Sequence, residues 1–159
     1  MQIEIAAVGK LKEAYWRDAQ QEYVKRLSRF AQTQVLEVAE ERLPDNASPA
    51  QEAQGRDREG ERLQKAVAKG TLMIVLDLNG KALSSTELAD KFREWTLAGH
   101  STFSFVIGGS TGLSEAVTAA ADFRLCLSRM TFPHQLARVL VLEQVYRAMK
   151  INAHETYHK

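Results

Sequence analysis

Cysteine is nearly absent from this sequence: Cys126 is the only one in 159 residues. No intrachain disulfide can form, and a reducing compartment is the natural setting. Long apolar runs are missing too. Stretches such as Leu72 to Leu76 fall far short of the roughly 20 residues that cross a bilayer. The opening Met1-Gln2-Ile3-Glu4 has no basic region followed by an apolar core, so no signal peptide is expected. A soluble, cytoplasmic protein follows from these absences. An excess of one charge is also lacking, since the formal net charge is +1. A strong basic balance would have marked a nucleic-acid binder; its absence neither demands nor excludes such a partner. There is no repeat and no low-complexity tract.

The composition, 45% hydrophobic and 26% charged, is that of a globular chain rather than a disordered one. The length fits one domain over residues 1–159, with little room for a separate substrate-binding domain. Charge is unevenly spread. Ser128 to Lys159 carries five Lys or Arg against two acids, whereas Glu37 to Arg62 carries eight acids against four bases. RNA, if bound, is expected near the C-terminal segment and away from the acidic middle.

Five short apolar runs read as strands: Ile3–Val8, Gln34–Val38, Leu72–Leu76, Thr102–Ile107 and Phe123–Leu127. The third and fourth are nearly continuous, as in strands covered on both faces. Helical spacing lies between them. Trp16, Ala19, Tyr23, Leu27 and Phe30 share one face. Leu88, Phe92 and Trp95 do so within Ser85–Ala98, with Ser85 as N-cap and Gly99 as stop. Ala50–Lys69 is charged and weakly amphipathic, with Leu63 and Val67 as its buried pair. Leu43–Pro49 is a loop. The last helix runs from after Pro133 to about Lys150. Its apolar residues (Leu136, Val139 to Leu142, Val145, Tyr146, Met149) cover more than one face, so it is either a central core helix or the seat of a partner subunit. Strands alternating with helices predict an α/β fold, a mostly parallel sheet with helices on both faces. Ligands in such folds sit beyond the carboxyl ends of the strands, which directs attention to the loops after Leu76, Ile107 and Leu127.

The loop Ile107-Gly108-Gly109-Ser110-Thr111-Gly112-Leu113-Ser114 leads from a strand into a helix. It is either a tight turn or a place where a ligand meets the backbone. It is not a P-loop, for no G-K-[ST] follows, and not the dinucleotide G-x-G-x-x-G. It contains no Lys or Arg. A ligand without phosphate, held by main-chain groups and apolar walls, suits it; S-adenosylmethionine is such a ligand. Asp77 follows the third strand, but a phospho-acceptor also needs acids after the first, where Gly9-Lys10 stands, and Asn79-Gly80 reads as a turn. In Leu127-Ser128-Arg129-Met130-Thr131-Phe132-Pro133, the residues Leu127, Met130 and Phe132 either wall a slot for an adenine ring or complete the core. The tail from Asn152 holds His154, Tyr157 and His158. Histidine exchanges protons near neutrality and tyrosine can stack on a base; a frayed terminus is the competing reading. His154 and His158 stand four apart without a third ligand, so no metal site is expected.

Taken in order, Ala7-Val8-Gly9-Lys10, Leu76 with Gly80-Lys81, Val106-Ile107-Gly108-Gly109 with Gly112-Leu113, Leu127-Ser128, Thr131-Phe132-Pro133-His134, Arg138-Val139, Tyr146-Arg147-Ala148 and Tyr157-His158-Lys159 resemble the ribosomal RNA large subunit methyltransferase H family of the SPOUT superfamily. The resemblance spans the whole chain. One departure is Thr156, where the family often has proline before the tail tyrosine. The resemblance implies a C-terminal deep trefoil knot. It implies S-adenosylmethionine bound by Leu76, Gly108, Leu127, Ser128, Arg129, Met130, Thr131 and Phe132. It also implies a homodimer in which one subunit's tail completes the other's site. The implied reaction is N3-methylation of pseudouridine 1915 in 23S rRNA of the assembled ribosome, with His158 as base or its positioner and Tyr157 orienting the nucleotide. Arg138, Arg147, Lys150 and Lys159 are the candidate phosphate contacts, with Arg129 as a further basic residue in the same stretch. Two other classes remain beside it: a non-catalytic ribosome-associated binding protein that keeps the fold, and a Rossmann-like oxidoreductase.

Overall fold

The structure, a computed structural model, describes residues 1–157. Strands and helices alternate: β1 (Gln2–Val8), α1 (Ala14–Leu27), β2 (Gln32–Val38), α2 (Pro49–Ala66), β3 (Leu72–Ala82), α3 (Ser85–Leu97), β4 (Thr102–Ile107), α4 (Glu115–Ala120), β5 (Phe123–Cys126) and α5 (His134–Asn152). The strands form one sheet in the order β2-β1-β4-β3-β5, and every pairing is parallel. The expected α/β architecture with helices on both faces is what forms.

Alternation along the strands divides the core. Ile3, Ile5 and Ala7 join Phe103, Phe105, Ile107, Leu72 and Ile74 on the face covered by α1, α3 and α5. Ala6, Val8, Val106, Met73 and Val75 point to the other face, beneath Leu63 of α2 and Val117 of α4. The first face is rich in rings: Phe92 packs edge-on against Trp95 and Phe103. The second is thinner, and α2 approaches closely through Gly60, where a Cβ would come within 2.9 Å of Val117. That glycine explains how so charged a helix can seat. Leu63 is buried as expected, while Val67 is only half-buried.

The caps are specific. Ser48 closes a capping box with Gln51, with Pro49 in the first turn of α2. On α3 the N-cap is Ser84, boxed with Glu87, rather than the expected Ser85. Ser85 instead donates its hydroxyl hydrogen to Gln144 of α5 at 2.7 Å. Gly99 follows the end of α3 with φ +97°, the left-handed conformation that suits glycine.

β3 does not stop at Leu76. Leu76 and Lys81 both register with Leu125 of β5, so residues 77–80 bulge out before the strand resumes. Asp77 shapes this bulge by accepting from the amide of Asn79 at 2.9 Å and from Arg124 at 2.8 Å. Gly80 lies so near β5 that a Cβ would stand 2.6 Å from the Arg124 carbonyl oxygen. The Asn79-Gly80 turn is therefore a bulge within a strand.

α5 is a core helix, one of the two things its pattern allowed. Val141, Leu142, Val145, Ala148 and Met149 are buried between α1, α3 and the sheet. Leu136, Val139 and Leu140 stay half-exposed, spaced three and four apart along one stripe.

Candidate active site

At the carboxyl ends of β3, β4 and β5 lies a cavity of about 720 Å³. Three segments wall it: Leu76 to Leu78, Ile107 to Leu113, and residues of the β5–α5 connection. Parallel strands end at one edge, so their following loops converge. Of the eight expected cofactor contacts, Leu76, Gly108, Leu127, Ser128, Met130, Thr131 and Phe132 line it; Arg129 does not. Arg129 is exposed.

The glycine loop is built around its own turn. The Gly112 amide donates to the Gly109 carbonyl at 3.1 Å, and Gly112 takes φ +87°. Gly108 is pressed against this turn: a Cβ there would stand 2.6 Å from the Gly112 carbonyl carbon. Ser114 then caps α4 by accepting from the Val117 amide at 3.3 Å. Opposite, the Ser128 hydroxyl accepts from the Met130 amide at 3.0 Å, and the Cys126 thiol donates to the Ser128 carbonyl at 3.2 Å. These bonds hold the third wall. Met130 is 71% exposed and Leu78 60%, so two large apolar side chains stand open at the mouth.

Among the described residues, no Lys or Arg lines the cavity. A phosphate-bearing ligand would find no countercharge, whereas a flat heteroaromatic ring would find apolar walls and backbone groups. Among the described residues, no group of three His, Cys, Asp or Glu could hold a metal ion. His134, at the start of α5, joins the lining. Burial lowers its pKa below the ordinary histidine value, Arg138 adds to this, and Glu40 opposes it. The imidazole is thus neutral at neutral pH. A signal for it stands in the sequence, a histidine just after Pro133 beyond a strand end, although it was not among the expected site residues.

Arg138 corrects an expectation. It is 1% exposed, and its guanidinium donates to Glu37 at 2.5 Å, to the Gly9 carbonyl at 3.1 Å and to Gln20 at 3.4 Å. It ties α5 to the ends of β1 and β2 and is turned inward, away from the surface a phosphate would approach, with its Nε buried and unpartnered. Arg147 is paired with Glu143 at 2.6 Å and lies over the Tyr157 ring at 4.6 Å. Lys150 is paired with Glu155. Of the basic residues in the C-terminal segment, Arg147 and Lys150 are thus paired with that segment's two acids, and Arg138 with Glu37.

Tyr157 does not line the cavity. It packs edge-on against Tyr146 at 5.0 Å and donates to Glu143 at 3.2 Å. Burial, with Tyr23 and Glu143 adding to it, pushes its pKa up to about 12. The phenol is a proton donor at neutral pH, not a base. The tail reaches this place through a turn at His154, φ +55°, and through Glu155, which takes both Arg29 nitrogens at 3.0 and 2.5 Å. His158 and Lys159 lie outside the described residues.

A family model described as "Predicted SPOUT methyltransferase" matches residues 1–158. The chain belongs to the SPOUT methyltransferases. Within them it belongs with the ribosomal RNA large subunit methyltransferase H proteins: it is 52% identical to those of Ruminiclostridium cellulolyticum and Bifidobacterium animalis subsp. lactis and 49% identical to that of Alkaliphilus oremlandii, over 159 residues and the whole of both chains in each case. A solved structure, a probable methylase family protein from Haemophilus influenzae Rd KW20, superposes with a TM-score of 0.55 at 15% identity, covering 99% of this chain and 70% of the other; at that identity the likeness speaks for the fold. SPOUT methyltransferases take their methyl group from S-adenosylmethionine. The cavity suits that donor in this SPOUT chain: apolar walls for the adenine, no basic lining among the described residues, and a glycine cradle that a Cβ would fill.

Proposed function

We propose that the chain is a cytoplasmic, single-domain enzyme that methylates N3 of a pseudouridine, 1915 of 23S rRNA, in the assembled ribosome, with S-adenosylmethionine in the cavity at the strand ends and as a homodimer. The observation that carries this reading is the convergence of Leu76, Gly108 and Leu127 to Phe132 on one cavity, from segments that the sequence separates by about thirty and twenty residues.

The donor supplies a methyl group already made electrophilic by its sulfonium. This chain's part is to hold the reacting nitrogen in line and to manage one proton. The apolar walls exclude water. Leu78 and Met130 at the mouth supply flat contact for a base or a partner. His158 takes the N3 proton or positions the group that does. Tyr157, protonated at neutral pH, donates a hydrogen bond that orients the nucleotide.

Two features support the dimer. Tyr157 packs on the Glu143–Arg147 turn of α5, whereas His134 of the same helix lines the cavity; twelve residues of helix separate His134 from Tyr146, roughly 18 Å. A tail held there serves a neighbour's cavity more readily than its own. The half-exposed stripe of Leu136, Val139 and Leu140 offers that neighbour an apolar seat. The knot is supported by the bulge at residues 77–80, which presses on the backbone of Arg124 and Leu125 as a loop would around a threaded strand, an exception to the usual avoidance of knots.

The deciding experiment is transfer of labelled methyl from S-adenosylmethionine to assembled ribosomes and to isolated 23S RNA, with mapping of the modified base. Label at N3 of a pseudouridine, dependent on assembled ribosomes, is the expected result. Cofactor binding without transfer to any RNA would sink the substrate assignment and favour a non-catalytic ribosome-associated protein.

A further inference from the structure

Where the end of α1 meets α5 and the tail, aromatic rings and guanidinium groups are stacked together. Tyr23 of α1 and Phe30 just past its end each lie against Tyr146, at 6.4 and 6.1 Å between centroids, and Tyr157 lies on the same ring at 5.0 Å. Three guanidinium groups cover this run of rings: Arg26 over Tyr23 at 5.4 Å, Arg29 over Phe30 at 5.4 Å and Arg147 over Tyr157 at 4.6 Å. Tyr23 and Arg26, three residues apart, share one face of α1.

Each arginine is tied to a carboxylate: Arg26 to Glu22 at 2.7 Å, Arg29 to Glu155 at 2.5 Å and Arg147 to Glu143 at 2.6 Å. The two beside α1 are not used up by these pairs. Arg26 engages Glu22 through its Nε and its side chain stays 42% exposed, while that of Arg29 stays 68% exposed. A guanidinium carries more N–H donors than one carboxylate can engage. Lys25 is exposed next to them and has no ion pair among the described residues. Cations here also favour the C-terminal end of the helix dipole, but that effect does not require a guanidinium to lie flat on a ring. Stacking fixes the plane of the group and leaves its edge for an acceptor. Planar cations interleaved with half-buried rings are what the phosphates and unstacked bases of RNA engage.

We propose that this patch grips the RNA flanking the target nucleotide, with Lys25, Arg26 and Arg29 on its phosphates; this rests on the reading that the substrate is ribosomal RNA. The interface is thereby moved from the C-terminal segment alone, whose Arg147 and Lys150 are paired and whose Arg138 is buried, onto the end of α1. Tyr157 lies within the patch, so the grip holds the strand beside the residue that orients the nucleotide. An acidic protein segment would find the cations but have no use for the rings.

The test is binding to assembled ribosomes across a salt series. Lys25→Gln combined with Arg26→Gln removes two phosphate contacts and leaves the Arg29–Glu155 pair in place. Affinity should fall about tenfold near physiological salt, and the slope of log affinity against log salt should become shallower by about two. In methyl transfer the KM for ribosomes should rise by a like factor at unchanged kcat, with S-adenosylhomocysteine affinity as in the parent. Arg58→Gln combined with Arg93→Gln removes two exposed cations of α2 and α3 and should move neither affinity nor slope. An unchanged slope in the first variant overturns the proposal: with unchanged affinity the patch serves the fold alone, and with reduced affinity it meets an acidic protein, since counterion release belongs to the phosphate chain. An equal change in the second variant overturns it too, because the effect is then one of net charge. A parent that neither binds ribosomes nor methylates any RNA overturns the ribosomal-RNA reading itself, and is told apart because it fails before any substitution is made.

Discussion

A methyl group added at Gly108 would meet the carbonyl carbon and oxygen of Gly112 at 2.6 and 2.7 Å, backbone that has nowhere to yield. The harm of Gly108→Ala is thus done by the loop's own turn before any ligand arrives. The variant is expected to lose about 1–3 kcal/mol of stability and to bind S-adenosylhomocysteine at least about tenfold more weakly, read by denaturant unfolding and calorimetry; unchanged affinity in the folded variant would remove this loop from the site. Arg138 acts within the fold. Replacing it with Leu leaves Glu37 and the Gly9 carbonyl without their donor, and since Glu37 reaches solvent the expected loss is about 2–4 kcal/mol. The salt dependence of ribosome binding should stay as it was, because no phosphate contact is lost; a shallower salt slope would restore Arg138 to the RNA interface. Glu59 adds a pH signature. Burial raises its pKa above the ordinary 4.5, so its contribution is fully present at low pH and is lost as pH rises through the folded value. Thermal melts of the ligand-free protein should therefore show Glu59→Gln gaining on the parent as pH climbs above 4.5. Parallel curves would mean that Glu59 ionises without cost. Of these three roles, that of Gly108 in a tight loop was legible in the sequence; the other two were not. A buried arginine and a surface one look alike in a helix, and Glu59 sits in a charged segment where burial depends on neighbouring Gly60.

Among the elements, the tail is held largely through side chains. Thr156 cannot stiffen the chain as a proline would, and the turn at His154 hands the work to Glu155, gripped by Arg29 and Lys150. Its pKa is held below the ordinary carboxylate value by Lys150 first and by Arg29. The clasp is therefore intact above 4.5 and is lost as pH falls through the lower folded value. Exposed ion pairs contribute little to stability, so Glu155→Gln should melt like the parent. Its single-turnover rate should fall about three- to tenfold through looser placement of Tyr157 and residue 158, with cofactor affinity unchanged. A rate equal to the parent's would show that the tail orders without the clasp. The elements themselves were largely readable: β1, β3 and β4 announced themselves by apolar runs, and α1 and α3 by helical spacing. What could not be read was long-range. The resumption of β3 after Leu76 depends on pairing to Leu125, and the choice of Ser84 over Ser85 as cap depends on which serine Gln144 engages. Local pattern carries no information on either.

For the molecule as a whole, the cavity and the tail tyrosine stand well apart on α5. The cavity lies at the strand ends beside His134, and Tyr157 lies against Tyr146, more than three turns along the same helix. The convergence of three loops was legible because parallel strands deliver their ends to one edge. The position of the tail was not, since nothing local dictates where a terminus docks. If the tail of one subunit serves the cavity of the other, two differently disabled subunits can rescue each other. A Gly108→Ala subunit has a damaged cavity and a sound tail; a His158→Ala subunit has the reverse. With the methyl donor held well below its affinity for the Gly108→Ala cavity, each homodimer should be nearly inactive in methyl transfer to ribosomes. Unfolded together and refolded in equal amounts, half of the dimers should be mixed, each holding one sound cavity opposite one sound tail, so activity should return to about a quarter of the parent's. Were the tail to serve its own chain's cavity, every mixed dimer would contain only half-disabled sites and the mixture would stay as inactive as its components.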